Sequence, residues 1–396
     1  MKEFAGKHIL IVIENLPAPF DRRVWQEATT LQEYGAQISI ICPKMKGYTQ
    51  SFETIEGINI YRHYLPAEGS GPLGYLREYS TALFFELLLA WRIFCRKKFH
   101  VIHGCNPPDL IFIIALFFKP FGVKYVFDHH DINPELYVAK YHKKGFFYQL
   151  MILFEKLTFK AANFSIATNE SYKEIAIRRG GMSPDRVQVV RSGPSLQRLR
   201  LINPVPKYKN GKKYLIGYLG VIGEQEGIDL LLESIKILSE RRSDFSVAIC
   251  GGGTSLESLK ILSENMGLKD YVTFYGRVSD QQLLEVLNTA DVCVNPDTPT
   301  EMNNLSTMNK IMEYMALKKP IVQFDLKEGK FSAQEASLYV KGADLKGFAE
   351  SISYLLDNKD IRDEMSEFGY NRVINELSWD YEKSKLKSIY SKVFSE

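Results

Sequence analysis

Short β-branched apolar runs recur along the first half of the chain, at His8–Ile13, Gln37–Cys42, Val101–His103, Val123–Phe127 and Phe164–Thr168. Stretches with helical spacing separate them. In the first of these, Val24, Ala28 and Leu31 fall at i, i+4 and i+7, and Asp21 stands where a helix cap belongs. The strand-like runs are continuously apolar and do not alternate, which predicts a parallel sheet covered by helices on both faces. The second half starts the scheme afresh at Tyr214–Leu219, Phe245–Cys250, Tyr271–Tyr275, Asp291–Val294 and Pro320–Phe324.

Between the halves, Gly193-Pro194, Asn203-Pro204-Val205-Pro206 and Lys209-Asn210-Gly211-Lys212-Lys213 concentrate Pro, Gly and Lys with little periodicity and read as a linker and exposed turn. At 396 residues the chain suits two domains. The expected division is an N-terminal domain 1–195, a C-terminal domain 196–377, and an amphipathic helix over 378–396 that packs back on the first domain. In α/β sheets of this kind ligands bind outside the carboxyl ends of the strands. The expected fold is therefore α/β, two doubly wound Rossmann-like domains facing a central cleft.

Composition adds limits. With 45% hydrophobic and 24% charged residues, the chain is globular. Residues 1–195 carry 24 Lys and Arg against 18 Asp and Glu, so the front half could lie against an anionic surface. The five cysteines are scattered, without a CxxC pair, which predicts no disulfide framework and no structural zinc. A reduced, cytoplasmic setting is the expectation. The N-terminal residues run straight into a strand-like stretch with no signal-peptide pattern. The apolar run Leu83–Phe94 is interrupted by Glu86 and Arg92 and is too short to span a bilayer. The wider segment 73–98 ends in Arg92, Arg96, Lys97 and Lys98. Any exposed part of it would dock peripherally on anionic lipid, in a bacterium the inner membrane.

Three segments could carry chemistry. Asp128-His129-His130-Asp131 follows a strand, where two histidines bracketed by acids could orient a proton or a hydrogen bond. A polar loop with Asp131 capping the next helix is the plainer alternative, and the lack of a third spaced ligand argues against a metal. Leu219-Gly220-Val221-Ile222-Gly223-Glu224-Gln225-Glu226-Gly227 joins a strand to the helix Ile228–Leu238, and its glycines admit a ligand to the backbone. Cys250-Gly251-Gly252-Gly253 is similar. The strongest is Asn295–Pro320, a Pro/Asp/Asn-rich loop ending at Ser306-Thr307, placed to cap a helix Met308–Ala316. Lys310 and Glu313 share a face of that helix, either as an ion pair or as ligands of a phosphate and a ribose.

Together these segments resemble glycosyltransferase family 4, retaining enzymes of the GT-B fold. The similar pieces are Gly220–Gly227 with Ile228-Asp229-Leu230-Leu231-Leu232, then Tyr275-Gly276-Arg277-Val278, Ala290-Asp291-Val292, and Glu313-Tyr314-Met315-Ala316 before Lys319-Pro320-Ile321-Val322. Pro19-Phe20-Asp21-Arg22-Arg23-Val24-Trp25 and His129-His130-Asp131 through Pro134-Glu135-Leu136-Tyr137 resemble a bacterial subgroup that builds O-antigen, capsule and exopolysaccharide, which points to lipopolysaccharide-type surface polymers. The resemblance implies that Glu313 holds the donor ribose and His130 contacts the transferred sugar. It places the backbone at Arg277-Val278 on the nucleobase, and Ser306, Thr307, Asn309 and Lys310 along the diphosphate and sugar. It also implies three departures. Leu305 stands where the first glutamate of Glu-x7-Glu belongs, leaving sugar recognition to Asn303, Asn304 or Glu301. Val221 or Ile222 and Glu226 stand where a basic pair belongs. Leu317-Lys318-Lys319 lacks the usual glycine.

The reaction this implies is retaining transfer from a nucleoside-diphosphate sugar to a saccharide, requiring no catalytic carboxylate pair, with a lipid-linked acceptor and neither metal nor cofactor. Lys310, Arg22 and Arg23 are the candidate cations for the diphosphate, with Gly220, Gly223, Asp131 and Glu135 as further substrate-binding positions. No nucleic-acid partner is expected. The rivals are a sugar-nucleotide epimerase or hydrolase of the same fold and a catalytically weak nucleotide-binding partner protein. A dinucleotide oxidoreductase is disfavoured because no GxGxxG follows the first strand.

Overall fold

The computed structural model describes residues 3–66 and 71–396, except for the side chains of residues 71–73, 75 and 76. The chain divides into two compact units. One runs to Ser192 and takes back Glu382–Glu396, and the other is Gly193–Tyr381.

The first unit holds β1 (His8–Ile13), β2 (Gln37–Pro43), β3 (Phe52–Ile55), β4 (Ile58–His63), β5 (Val101–Cys105), β6 (Lys124–His129), β7 (Phe164–Ala167) and β8 (Val187–Val189). Their order in the sheet is β3-β4-β2-β1-β5-β6-β7-β8, parallel except for the β3–β4 hairpin. That hairpin escapes the apolar-run pattern because it is half exposed, and because its turn places a glutamate, Glu56, beside Gly57, both at positive φ. Such a turn ordinarily advertises itself with Asn or Asp before the glycine. β1 is buried throughout, with Ile9 set between Ile38 of β2 and Val101 of β5. Asp21 caps the helix Arg22–Glu33 as its position predicts, its carboxylate accepting the Val24 N–H at 3.0 Å. The helix Trp379–Ser395 closes the unit, with Phe394 against Phe4 and Tyr390 Oη 2.7 Å from His103 Nδ1.

The second unit holds β9 (Tyr214–Leu219), β10 (Phe245–Cys250), β11 (Val272–Gly276), β12 (Val292–Asn295), β13 (Ile321–Phe324) and β14 (Ser337–Val340), all parallel, in the order β11-β10-β9-β12-β13-β14. Both faces of this sheet are core. Ile216, Tyr218, Val247 and Ile249 pack on one side against Leu231, Leu232, Ile235 and Leu238 of the helix Ile228–Ser239. Leu215, Ala248 and Cys250 pack on the other against Ile311, Met312 and Met315. Each such buried aliphatic contributes about 1.5–3 kcal/mol relative to exposure.

Strand order reverses at β1/β5 in the first sheet and at β9/β12 in the second. A doubly wound sheet opens a crevice where its winding reverses. The segment of Arg22 and Arg23 after β1, the Gly-rich loop after β9 and the loop after β12 leave at these points, the His130 segment follows β6 one strand further out, and Arg277 follows the edge strand β11.

Candidate functional site

In the second unit, the loop after β9 and the loop after β12 flank the reversal. Gly227, at positive φ, sits so close to the second loop that a Cβ would lie 2.1 Å from the Pro296 carbonyl. Asn303 ties the two loops from the other side, its amide donating to the carbonyls of Gln225 and Thr298, both at 2.8 Å. The Gly251–Gly253 turn has a different use from the one its composition suggests. Ile222 N–H donates to the Gly252 carbonyl, and a Cβ at Gly251 would fall 1.7 Å from the Gly220 carbonyl, so these glycines let two backbones meet.

Lys310 lies on the helix Asn309–Ala316 and reaches back to the reversal. Its Nζ is 2.7 Å from Asp297 Oδ1, over the ring of Tyr218, with its chain beside Gly220. Asp297 is buried and the Lys310 side chain is 10% exposed. Burial works against the charge on Lys310, and Asp297 outweighs it, holding the ammonium above its usual range. Burial pushes the Asp297 carboxyl up, against the pull of Lys310. Glu226 adds a second acid. Its Oε2 accepts the Gly223 N–H at 3.0 Å, and burial raises its carboxyl despite Lys310 nearby. A carboxylate of the chain itself thus occupies a backbone donor of the Gly-rich loop.

Glu313, one turn along the helix, pairs with Arg198, whose Nη1 also approaches Asp280 at 3.3 Å. The two residues of the shared helix face therefore have separate partners, and the Lys310–Glu313 pair expected as the plainer alternative does not form. Nor do Ser306 and Thr307 cap this helix. Met308 holds the cap position with no side-chain hydrogen bond, because the stretch before it folds into a short helix, Glu301–Leu305, capped by Thr300. Ser306 Oγ donates to the Met302 carbonyl at 2.8 Å, and the Asn304 carboxamide oxygen accepts the Lys327 N–H at 2.8 Å. Of the positions offered for sugar recognition, Asn303 and Asn304 are thus committed to backbone, while Glu301 is exposed. Arg277 is exposed after β11, Val278 half-buried, Asn309 exposed and Thr307 half-buried. Lys318 takes the place of the usual glycine at φ +54°, so the left-handed turn persists without it.

In the first unit, β6 delivers Asp128, His129 and His130, and the three separate sharply. Asp128 is fully buried and bonded by Arg23, with Nη2–Oδ1 at 2.8 Å and Nε–Oδ2 at 3.1 Å. Burial alone would raise its carboxyl; Arg23 and His130 reverse this and hold it well below the usual range. His130 Nε2 donates to the same carboxylate, and against the effect of burial Asp128 keeps the imidazole well above its usual value. Asp128 thus favours the protonated form of the His130 imidazole. The 3.1 Å approach of Arg23 Nε to His130 Nε2 is then two donors sharing one carboxylate. His129 turns into the core among Phe127, Phe159 and Tyr172, and burial together with Arg179 brings it down to about 3. Asn106, after β5, shapes the loop by accepting the N–H groups of His130 and Asp131 at 2.7 and 3.1 Å. Asp131 does not cap the helix Asn133–Tyr141, whose cap is Ile132.

Two of the expected substrate positions hold structure here. Arg23 is buried in ion pairs with Asp128 and Glu27, unlike exposed Arg22, and Glu135 is bonded through both oxygens to Arg179. The argument from a missing third ligand also fails, because ligands converge from different strands. His103, Cys105 and Asp128 lie within reach of one ion, as do Glu27, Asp128 and His130. The Arg23 guanidinium lies among these groups and supplies positive charge to both carboxylates. Asp297, Arg198 and Asn106 are the residues sequence reasoning passed over. Asn106 and Asp297 had a signal, their places just after strands, and Arg198 had none.

Residues 21–198 match the model of Glycosyltransferase Family 4, and residues 213–358 that of Glycosyl transferases group 1. The capsular polysaccharide biosynthesis glycosyltransferase CapM of Staphylococcus aureus is 26% identical over 267 residues, 64% of this chain and 68% of CapM. Other relatives match over about a third to a half of their length. The sucrose-phosphate synthase of Thermosynechococcus elongatus superposes with TM-score 0.78 at 17% identity, covering 98% of this chain and 99% of that one. Anabaena HepE, solved with UDP and glucose, gives 0.73 at 13% identity over 98% and 100% of the two chains. With both halves matched in chain order on the layout of these solved GT-B proteins, the chain belongs to glycosyltransferase family 4.

Proposed function

We propose that the chain transfers a sugar, with retention at the anomeric carbon, from a nucleoside-diphosphate sugar to a lipid-linked saccharide during assembly of a surface polysaccharide. The observation that carries this reading is the grouping of Lys310, Asp297 and the Gly220–Gly227 loop where the second sheet reverses its winding. Lys310 is the cation for the diphosphate, and it makes a metal unnecessary there. Glu313 takes the ribose hydroxyls, and the backbone around Arg277-Val278 the base. In this reading the acceptor attacks from the leaving-group side and its proton passes to the departing diphosphate. Fixed dipoles and Lys310 stabilise the charge that develops. His130, a cation held by Asp128, donates a hydrogen bond to the sugar and does not act as a base. The role of CapM in capsular polysaccharide biosynthesis and the complex of HepE with UDP and glucose support the substrate class.

The deciding experiment incubates the protein with UDP- and GDP-sugars and a lipid-linked saccharide, and reads the new anomeric centre by NMR. An inverted product rules out retention, and release of free sugar regardless of acceptor favours the hydrolase or epimerase reading. One observation supports a second reading, a weak nucleotide-binding partner protein. Asp297 and Glu226 both crowd Lys310, leaving the diphosphate position with two acids against one base. A chain that binds no nucleoside diphosphate by calorimetry and transfers nothing would be that partner.

A further inference from the structure

The outer helices of the first unit carry an apolar face that the fold does not use. On the helix Gly71–Arg96, Phe84, Leu88 and Trp91 fall at i, i+4 and i+7, a single stripe, and are 59%, 50% and 42% exposed. A helix of an α/β layer normally turns such a stripe to its sheet, and here a different set, Ala82, Glu86, Ala90 and Ile93, is buried. The stripe continues onto the neighbouring helix Phe112–Phe118 and the turn after it. Trp91 meets Phe117 at 5.7 Å and Phe121 at 6.1 Å between ring centroids, and those rings are 47% and 54% exposed. Beside the same short helix lies Phe146–Ala161, whose first residue, Phe146, is 75% exposed. Proteins that work as free monomers rarely leave so much contiguous aromatic surface in water.

Charge identifies the occupant. Residues 84–121 and 141–161 together contain nine Lys and Arg against three carboxylates, Glu86, Asp109 and Glu155. All three carboxylates are buried, so the exposed charge of these two stretches is positive only, and the one further acid of the first helix, half-buried Glu78, lies more than a turn before Phe84. A second copy of the chain would oppose cations with cations across this face. An anionic bilayer would take the rings among its acyl chains and the ammonium and guanidinium groups among its phosphates. No helix among the described residues is long and apolar enough to cross a membrane, so insertion stops at the interface.

We propose that the first unit docks through this face on an anionic lipid surface, with Phe84, Leu88, Trp91, Phe117 and Phe121 entering the interface and Arg92, Arg96, Lys97 and Lys98 on headgroup phosphate. The inference deepens the proposed function, since a docked enzyme meets a lipid-linked acceptor in two dimensions. It rests on that reading only for its purpose; the docking is measured without donor or acceptor. The full chain is floated with vesicles of phosphatidylglycerol and phosphatidylcholine, and with phosphatidylcholine alone, at low and high salt. The expected result is recovery with the anionic vesicles at low salt, falling at least about tenfold on neutral vesicles or in high salt. Phe84→Ser with Leu88→Ser, both at exposed positions, should cut recovery by a similar factor while the melting temperature holds. Trp91 emission should shift to the blue on adding anionic vesicles, and the shift should vanish in Trp91→Phe. A chain that stays with the unbound fraction on anionic vesicles at low salt overturns the proposal. So does a dimer in sedimentation that the serine pair dissolves without any change in vesicle recovery. A wild-type chain that floats but transfers no sugar leaves the docking standing and removes the transferase reading alone.

Discussion

Replacing Lys310 by Met removes the positive member of a buried pair and leaves Asp297 with no ammonium at 2.7 Å. Asp297 then either stays charged in the interior or takes a proton, and the cheaper course sets the cost. A carboxyl of ordinary value 3.8 forced to be neutral at pH 7 costs at most about 4 kcal/mol. Burial has already raised Asp297, which lowers that ceiling, so Lys310→Met should lose about 2–4 kcal/mol at pH 7, in line with broken buried pairs elsewhere. At pH 5 the ceiling falls to about 1.6 kcal/mol, because proton uptake is nearly free. Urea unfolding at the two pH values reads this difference directly. Adding Asp297→Asn should recover most of the stability at pH 7. Binding separates the two roles of the lysine. Both the single and the double variant should bind UDP or GDP about 1.5–3 kcal/mol more weakly by calorimetry, with the nucleoside unchanged. A loss under about 1 kcal/mol at both pH values would show that Asp297 does not depend on Lys310. Equal weakening of nucleoside, monophosphate and diphosphate would mean that Lys310 supports its helix and touches no phosphate.

Three further outcomes are expected. His130→Ala should lower kcat/KM for transfer by at least about tenfold with an unchanged circular dichroism spectrum, whereas His129→Phe should stay active; the reverse would put the functional histidine one residue earlier. His129, neutral in the fold down to about 3, is matched in the unfolded chain by a histidine of about 6.5, so its contribution is complete above pH 6.5 and is lost as the pH falls. At pH 5 that loss is about 2 kcal/mol, and urea titrations of His129→Phe should show a pH 7 to pH 5 decline smaller by that amount. Lys318→Gly, which relieves a left-handed backbone, should raise stability by about 1 kcal/mol in the same assay, and a lowered midpoint would show that the Lys318 ion pair with Glu367 outweighs the strain.

Strands buried on both faces were the legible part of the fold. β1, β9 and β10 begin and end where their apolar runs do, because a short β-branched run bounded by turn signals suits a strand covered on both faces. The half-exposed β3–β4 hairpin and the short strands β8 and β14 have no such run, and only the tertiary pairing defines them. At the site, position after a strand singled out His130 and the Gly-rich loop, and the fold sets both at the carboxyl ends of strands. Partnership was not legible. Helical spacing joins Lys310 to Glu313, but a buried ammonium needs a desolvated carboxylate, and Asp297 meets it from another loop. Arg198 reaches Glu313 across 115 residues of sequence, beyond any local rule. Arg22 and Arg23 look alike on paper, and only the register of their helix sends one into the Asp128 cluster and the other to solvent.

The return of Glu382–Glu396 to the first unit bears on the order in which the protein is made. A chain grows from its N-terminus, so the eight-stranded sheet leaves the ribosome before the second unit, and the segment that covers His103 and ties Lys124 to the Val393 carbonyl leaves after it. Throughout synthesis of the second unit, Phe4 lacks Tyr390 and Phe394, and Glu382 is not yet there to take the Arg191 N–H at 2.9 Å. Until those residues arrive, the sheet of the first unit lacks part of its cover beside His103. The first unit is therefore completed only after the second has been synthesised, although most of its residues come first in the chain.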